Sequence, residues 1–133
     1  MKVKTETFLA TLKDEKGQNL VEFALVVPIL LLLVLGIAEF GRAWMTKNIL
    51  TGAAREAVRV AAVGGNGVAR GDNVLVSANL PGSTIVTDGT DTEGNPMKIA
   101  TVTYIYNFFI IMKLVPGIPD NVTLLSTTTM RTE

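Results

Sequence analysis

The sequence predicts an α+β chain: a long N-terminal helix, transmembrane in its first half and amphipathic in its second, packed on a small, mainly antiparallel sheet of about four strands. Three observations carry that reading. Phe23 to Ala38 is a run of sixteen residues without a polar side chain. A stripe of helical period follows it, and beyond Gly64-Gly65-Asn66-Gly67 the apolar period changes to two.

The 133 residues have a mean hydropathy of +0.39, high for a soluble domain of this size. Twelve basic and twelve acidic residues cancel, and no basic stripe interleaved with aromatics is present, so nothing points to nucleic acid as a partner. The chain has neither Cys nor His, which removes thiol nucleophiles, disulfides, imidazole bases and the usual zinc ligands together. The composition therefore argues against an enzyme, and no cofactor, metal or small-molecule substrate is expected. It assigns no redox compartment, because a chain without cysteine suits either.

Residues 1–17 are polar and carry Lys2, Lys4, Lys13 and Lys16 against Glu6, Asp14 and Glu15. They read as a leader-like segment. From Leu20 to Ala38 the one charge is Glu22. About 20 apolar residues at 1.5 Å each cross a hydrocarbon core of roughly 30 Å, so a span over about residues 20–40 suffices. Four lysines precede it and Arg42, Lys47, Arg55 and Arg59 follow it, which leaves the positive-inside count nearly even.

Residues 41–63 continue the helix in amphipathic form. Phe40, Ala43, Leu50, Ala54, Ala57 and Ala61 recur at helical spacing, while Glu39 with Arg42 and Glu56 with Arg59 are placed for i,i+3 pairing. The small residues Gly52, Ala53, Ala54, Ala57, Ala61 and Ala62 allow a sheet or another helix to approach closely. The glycine cluster at 64–67 ends the helix, and residues 64–133 form a strand-rich domain. Within it, Val74, Val76, Ala78 and Leu80 alternate as a strand and Pro81-Gly82 turns into a second at Ser83 to Thr87. A polar loop from Asp88 to Pro96 leads to the third, Lys98 to about Phe109, with Val102, Tyr104, Tyr106 and Phe108 on one side. Val122 to Arg131 is the last. Such a small domain buries little surface alone and needs the amphipathic helix as part of its core.

The junction Lys16-Gly17-Gln18-Asn19-Leu20-Val21-Glu22-Phe23 resembles the processing site of the type IV pilin-like prepilins of Flp/Tad systems. The chain as a whole resembles a TadE-like minor pilin or pseudopilin: GQNLVEFALVVPILLLLVLGIAEFGRAW in front, AAREAVRVAAV in the middle, and a Thr-rich strand ending in TTTMRTE. The similarity is strong over about residues 16–63 and loose beyond. It implies a prepilin peptidase that cuts after Gly17 on the cytoplasmic side and leaves Gln18 as the mature N-terminus. It also implies a single-pass protein of the bacterial inner membrane with an extracytoplasmic C-terminal domain, whose partners are lipid, other pilin-like subunits and the assembly platform of the pilus.

Within that resemblance Glu22 and Phe23 are the assembly residues. An ionised carboxylate at the head of an apolar run needs a partner or a proton. The new amine of Gln18, in the same or an adjacent subunit, is the evident partner and would set axial register. A carboxylate resting at the headgroups near the positive end of the helix dipole is the alternative. Gly17 could instead merely separate a polar leader from a helix, but its placement five residues before Glu22 makes cleavage the better reading. Pro28 removes the backbone bond to Ala24 and should kink or loosen the span, although membrane helices tolerate proline.

Other features admit two readings each. Asp88 to Asn95 clusters oxygen ligands with glycine but lacks calcium-loop spacing, so a solvated hairpin loop is expected. Phe108 to Met112 is either a membrane-lying or subunit-contacting patch or a strand buried on both faces. Trp44 is either an interfacial aromatic or part of the strand domain's packing. Asn121-Val122-Thr123 matches a glycosylation acceptor and reads as a strand start. Two rival functions remain: an ordinary anchored or exported protein, cut after Ala38 if the apolar run is a signal peptide, and a hydrolase using Asp88 or Asp91, for which no convergent carboxylate pair is evident.

Overall fold

The computed structural model of the chain describes residues 15–109 and 120–132. Five elements are present among them: α1 (Glu15–Ala62), α2 (Gly67–Ser77), β1 (Ser83–Thr90), β2 (Pro96–Asn107) and β3 (Asn121–Arg131). The fold is α+β as expected, with three strands rather than about four. The chain divides into two units, Met1–Ala38 and Glu39–Glu133, with the border inside α1.

In the first unit α1 runs through Pro28, and its side chains stand exposed apart from a few that are half-buried, such as Val27 and Leu35. Most of the leader and the last three residues of the Phe108 to Met112 run lie outside the described residues.

In the second unit α1 supplies most of the buried apolar residues among those described. Leu50, Ala53, Ala54, Ala57, Val58, Ala61 and Ala62 are buried. Leu50, Ala53 and Ala54 pack with Leu75 and Val102, and Ala57 and Val58 pack with Ala100. The run of alanines shortens the distance at which helix and sheet can meet, and the larger residues of the sheet fill what is left. The buried stripe begins at Glu39, not Phe40. Phe40 is exposed, and Gly52, expected among the close-approach residues, faces open space. Helical spacing places 39, 46, 50, 53 and 57 on one face, and Phe40 lies about 100° around from Glu39.

α1 stops in a Schellman arrangement. Gly64 is left-handed at φ 81°, its N–H donates to Ala61 O at 3.1 Å, and the Gly65 N–H donates to Val60 O at 2.9 Å. The Asn66 side chain then accepts from the Ala69 N–H at 3.0 Å and starts α2. Here the sequence reading needs correction: the stretch read as a first strand, Val74 to Leu80, belongs to a helix and its end. The stripe that α2 buries is Gly67, Gly71 and Leu75, a four-residue spacing made mostly of glycine. A Cβ on Gly67 would lie 2.4 Å from Ala57 O, and one on Gly71 would lie 2.5 Å from Thr84 Oγ1, so contact itself selects glycine at both positions. A second Schellman arrangement closes α2. Asn79 takes φ 55°, the Asn79 N–H donates to Val76 O and the Leu80 N–H donates to Leu75 O, both at 2.9 Å. Pro81-Gly82 therefore links a helix to a strand, not two strands.

The sheet has the order β1-β2-β3 and is antiparallel throughout. Thr84 pairs with Val102, which pairs with Ser126, and all three point into the core. β1 continues to Thr90, so the polar loop shrinks to a turn at Asp91 to Asn95, with Gly94 at φ 84°. Both sheet edges are covered in places. The Thr84 N–H donates to Asp72 Oδ1 at 3.0 Å, and the Lys47 ammonium donates to Leu125 O.

Candidate functional site

The residues singled out in the sequence fall on the N-terminal part of α1. Gly17, Gln18, Glu22 and Phe23 are all helical and exposed. Gln18 and Glu22 are one turn apart, about 6 Å along the axis and on the same side, whereas Phe23 is turned about 100° from Glu22. The geometry thus brings the proposed new N-terminal residue and the carboxylate onto one face. Pro28, six residues beyond Glu22, lies inside the helix.

From Gly17 to Ala62 the helix is long and apolar enough to cross a membrane, and its apolar window has no buried share. The magnitudes favour insertion. Twelve of the residues from Phe23 to Ala38 are Leu, Ile, Val or Phe, and at roughly 0.5 kcal/mol each they supply about 6 kcal/mol. A single carboxylate costs about 3 kcal/mol at the centre of a span and less near its end, where Glu22 stands.

A second cluster surrounds Glu39, at the start of the second unit. Glu39 is 6% exposed, and its carboxylate accepts the Phe109 N–H. Its backbone carbonyl receives the Tyr106 hydroxyl over 3.5 Å, a long contact. Pairing with Arg42 was the expectation from spacing, and it missed this role. The signal was present: Glu39 lies seven and eleven residues before Thr46 and Leu50, in phase with the buried face. On the other side of the helix Phe40 and Trp44 stack with centroids 6.2 Å apart, both exposed, so Trp44 does not pack into the strand domain.

The remaining charges hold the second unit's surface. Arg59 and Arg70 both donate to Glu56 Oε2, at 3.3 and 3.2 Å, and those bonds set the Glu56 carboxyl below its ordinary range. In the β1–β2 turn, Asp91 Oδ1 accepts the Asn95 N–H at 2.8 Å and the Glu93 N–H at 2.9 Å, while Oδ2 meets the Arg131 guanidinium at 2.6 Å. The Asn95 backbone bond leads in holding the Asp91 carboxyl below its usual value. The oxygens that suggested a cation loop are thus engaged by protein donors. Among the described residues no group of three or more His, Cys, Asp or Glu side chains is arranged to hold a metal.

A protein-family model described as TadE-like protein matches residues 17–59. Over that stretch the chain is similar to TadE-like proteins. The matched segment opens on Gly17 and takes in Gln18, Glu22, Phe23 and Pro28, the whole apolar run, and the alanine face as far as Val58. It therefore spans the border between the two units and contains Glu39, Phe40 and Trp44 as well. No curated protein and no solved structure matches the chain.

Proposed function

We propose that this chain is a pilin-like structural subunit, a minor pilin or pseudopilin, that serves assembly of a Tad pilus. The observation that carries the reading is the coincidence of three features on one stretch: the TadE-like match, the Gly17-to-Phe23 junction, and an apolar helix long enough to span a membrane with none of its apolar window buried. The protein enters the bacterial inner membrane with its N-terminus in the cytoplasm and residues 64–133 outside. A prepilin peptidase cuts after Gly17 and removes a charged tail that must otherwise stay in water. Gln18 then presents a new amine one turn from Glu22, and the pair fixes the axial register of this helix against those of other pilin-like subunits. Exposed leucines and valines that faced lipid face neighbouring helices once the subunit joins the assembly platform or the pilus. The role is structural, and no catalysis is assigned to it.

The N-terminal sequence of the protein recovered from cells tests this reading, set beside that of a Gly17→Ala variant. The expected result is Gln18 for the native chain and an uncut leader for the variant. A native chain that starts at Glu39 would support a signal peptide cut after Ala38, and identical termini in both proteins would remove Gly17 from any processing role.

A further inference from the structure

The aromatic residues of the second unit are unevenly placed. Phe40, Trp44 and Phe109 are 67%, 61% and 70% exposed, so none of them contributes to the core. Phe40 and Trp44 lie on α1, about 1.5 and 7.5 Å along its axis from Glu39. Phe109 follows the end of β2, seventy residues away, yet its N–H is bonded to the Glu39 carboxylate. Tyr106 contacts the Glu39 carbonyl, and its ring meets that of Phe108 edge-on at 5.2 Å. Two separate elements thus present exposed rings around one level of the helix, and a buried carboxylate holds the second element there. That level starts one residue after the apolar run ends at Ala38.

From this we infer that Phe40, Trp44 and Phe109 form a membrane-interface collar that seats the second unit on the headgroup layer of the bilayer, with Glu39 as the positioning residue. Aromatic rings concentrate at this depth because an apolar body and a polarisable edge both find suitable surroundings there. Exposed rings on a water-facing domain would instead be a liability. Continuity with the span selects lipid as the occupant: a helix that leaves the hydrocarbon at Ala38 places its next turn and a half among the headgroups. Glu39 tolerates that position because its carboxylate points into the protein and receives a backbone N–H. The inference rests on α1 crossing the bilayer and is independent of any pilus.

Trp44 is the single tryptophan of the chain, which makes the test direct. The full chain is reconstituted in phosphatidylcholine–phosphatidylglycerol vesicles containing lipids brominated either just below the headgroup or deep in the acyl chain. Three single-tryptophan proteins are compared: the native chain, Trp44→Phe with Phe109→Trp, and Trp44→Phe with Leu31→Trp. The expected outcome is quenching of probes 44 and 109 mainly by the shallow bromines and of probe 31 mainly by the deep ones. Adding Glu39→Ala to the Phe109→Trp protein should release probe 109 to aqueous iodide, while the same change in the native chain leaves probe 44 shallow. If probe 31 is quenched deep but probe 109 stays open to iodide, the collar is overturned while the span stands. If probe 31 escapes the deep bromines, the span fails and the collar with it. A blue-shifted probe 109 that no brominated lipid quenches would mean a protein neighbour covers the ring, and this too would overturn the collar.

Discussion

Between Leu20 and Ala38, α1 carries mostly leucine, valine and isoleucine, and nearly all of them stand exposed; between Ala53 and Ala62 its inner face is alanine and one valine, and these are buried. Hydropathy alone would assign the core to the first stretch. The difference shows that side-chain size separates the two surroundings as much as polarity does. Long apolar chains suit a fluid or a partner outside the chain, whereas Cβ-sized residues let a sheet come close enough for Val102 and Leu75 to fill the gap. One helical backbone therefore carries two surfaces, with the change at Glu39.

The strongest way to break this comparison is to put charge in the first stretch. Leu31→Arg with Leu32→Arg costs roughly 5–7 kcal/mol near a bilayer centre, equal to the whole insertion gain of about 6 kcal/mol. The double variant should disappear from alkali-washed membranes, and undiminished recovery there would show that this stretch is not held by lipid.

Next in size are changes to the close-packed stretch. Ala57→Leu overfills a position with no exposure, against Ala100 and Val58, and Gly67→Ala drives a Cβ into Ala57 O. Each should lower stability by about 1–3 kcal/mol in urea unfolding in detergent. Gly52→Ala sharpens the contrast by reversing the sign. Nothing lies within 4 Å of the added Cβ, and replacing a helix-interior glycine should stabilise by about 0.5–1 kcal/mol. A loss on Gly52→Ala would mean that this face has a contact in solution.

The fold class, the helix and the β2 and β3 strands were legible because their signals are periodic and local. The error over Val74 to Leu80 has a specific origin. α2 buries Gly67, Gly71 and Leu75, and a stripe made of glycine is invisible to any reading that counts apolar side chains, so Val74, half-buried against the core, and the exposed Val76 produced an apparent period of two. The decisive residue was Asn79, whose left-handed φ closes the helix where a strand had been expected to continue. Glu39 was misjudged for another reason. Its phase with Thr46 and Leu50 announces burial, but its carboxylate accepts a backbone N–H seventy residues away, a bond that no local spacing announces. At the N-terminal site, the face shared by Gln18 and Glu22 follows from helical period alone, while the meaning of Gly17 came from resemblance.

The smallest expected effect is on pH dependence. Glu56 and Asp91 both have carboxyls held below their ordinary values. In the window between the lowered folded value and the ordinary unfolded one, the unfolded chain binds more protons, so stability rises with pH. The contribution is complete at neutral pH, above the unfolded value, and is lost as acid carries the pH down through the folded value. Solvent screening keeps it small. Thermal melts from neutral to acidic pH should show a shallower acid loss in Arg131→Leu and in Glu56→Gln than in the native chain, and an equal loss would exclude these pairs as its source.

The division of α1 is tested most directly by cysteine accessibility, since the chain has no cysteine of its own. Single cysteines at Leu31, Gly52 and Ala57 are exposed to a water-soluble maleimide in intact membranes. Gly52→Cys should label at once, Leu31→Cys only after detergent is added, and Ala57→Cys only after unfolding. Labelling of Leu31→Cys in intact membranes as fast as Gly52→Cys would contradict the account, because it would put both stretches of the helix in water.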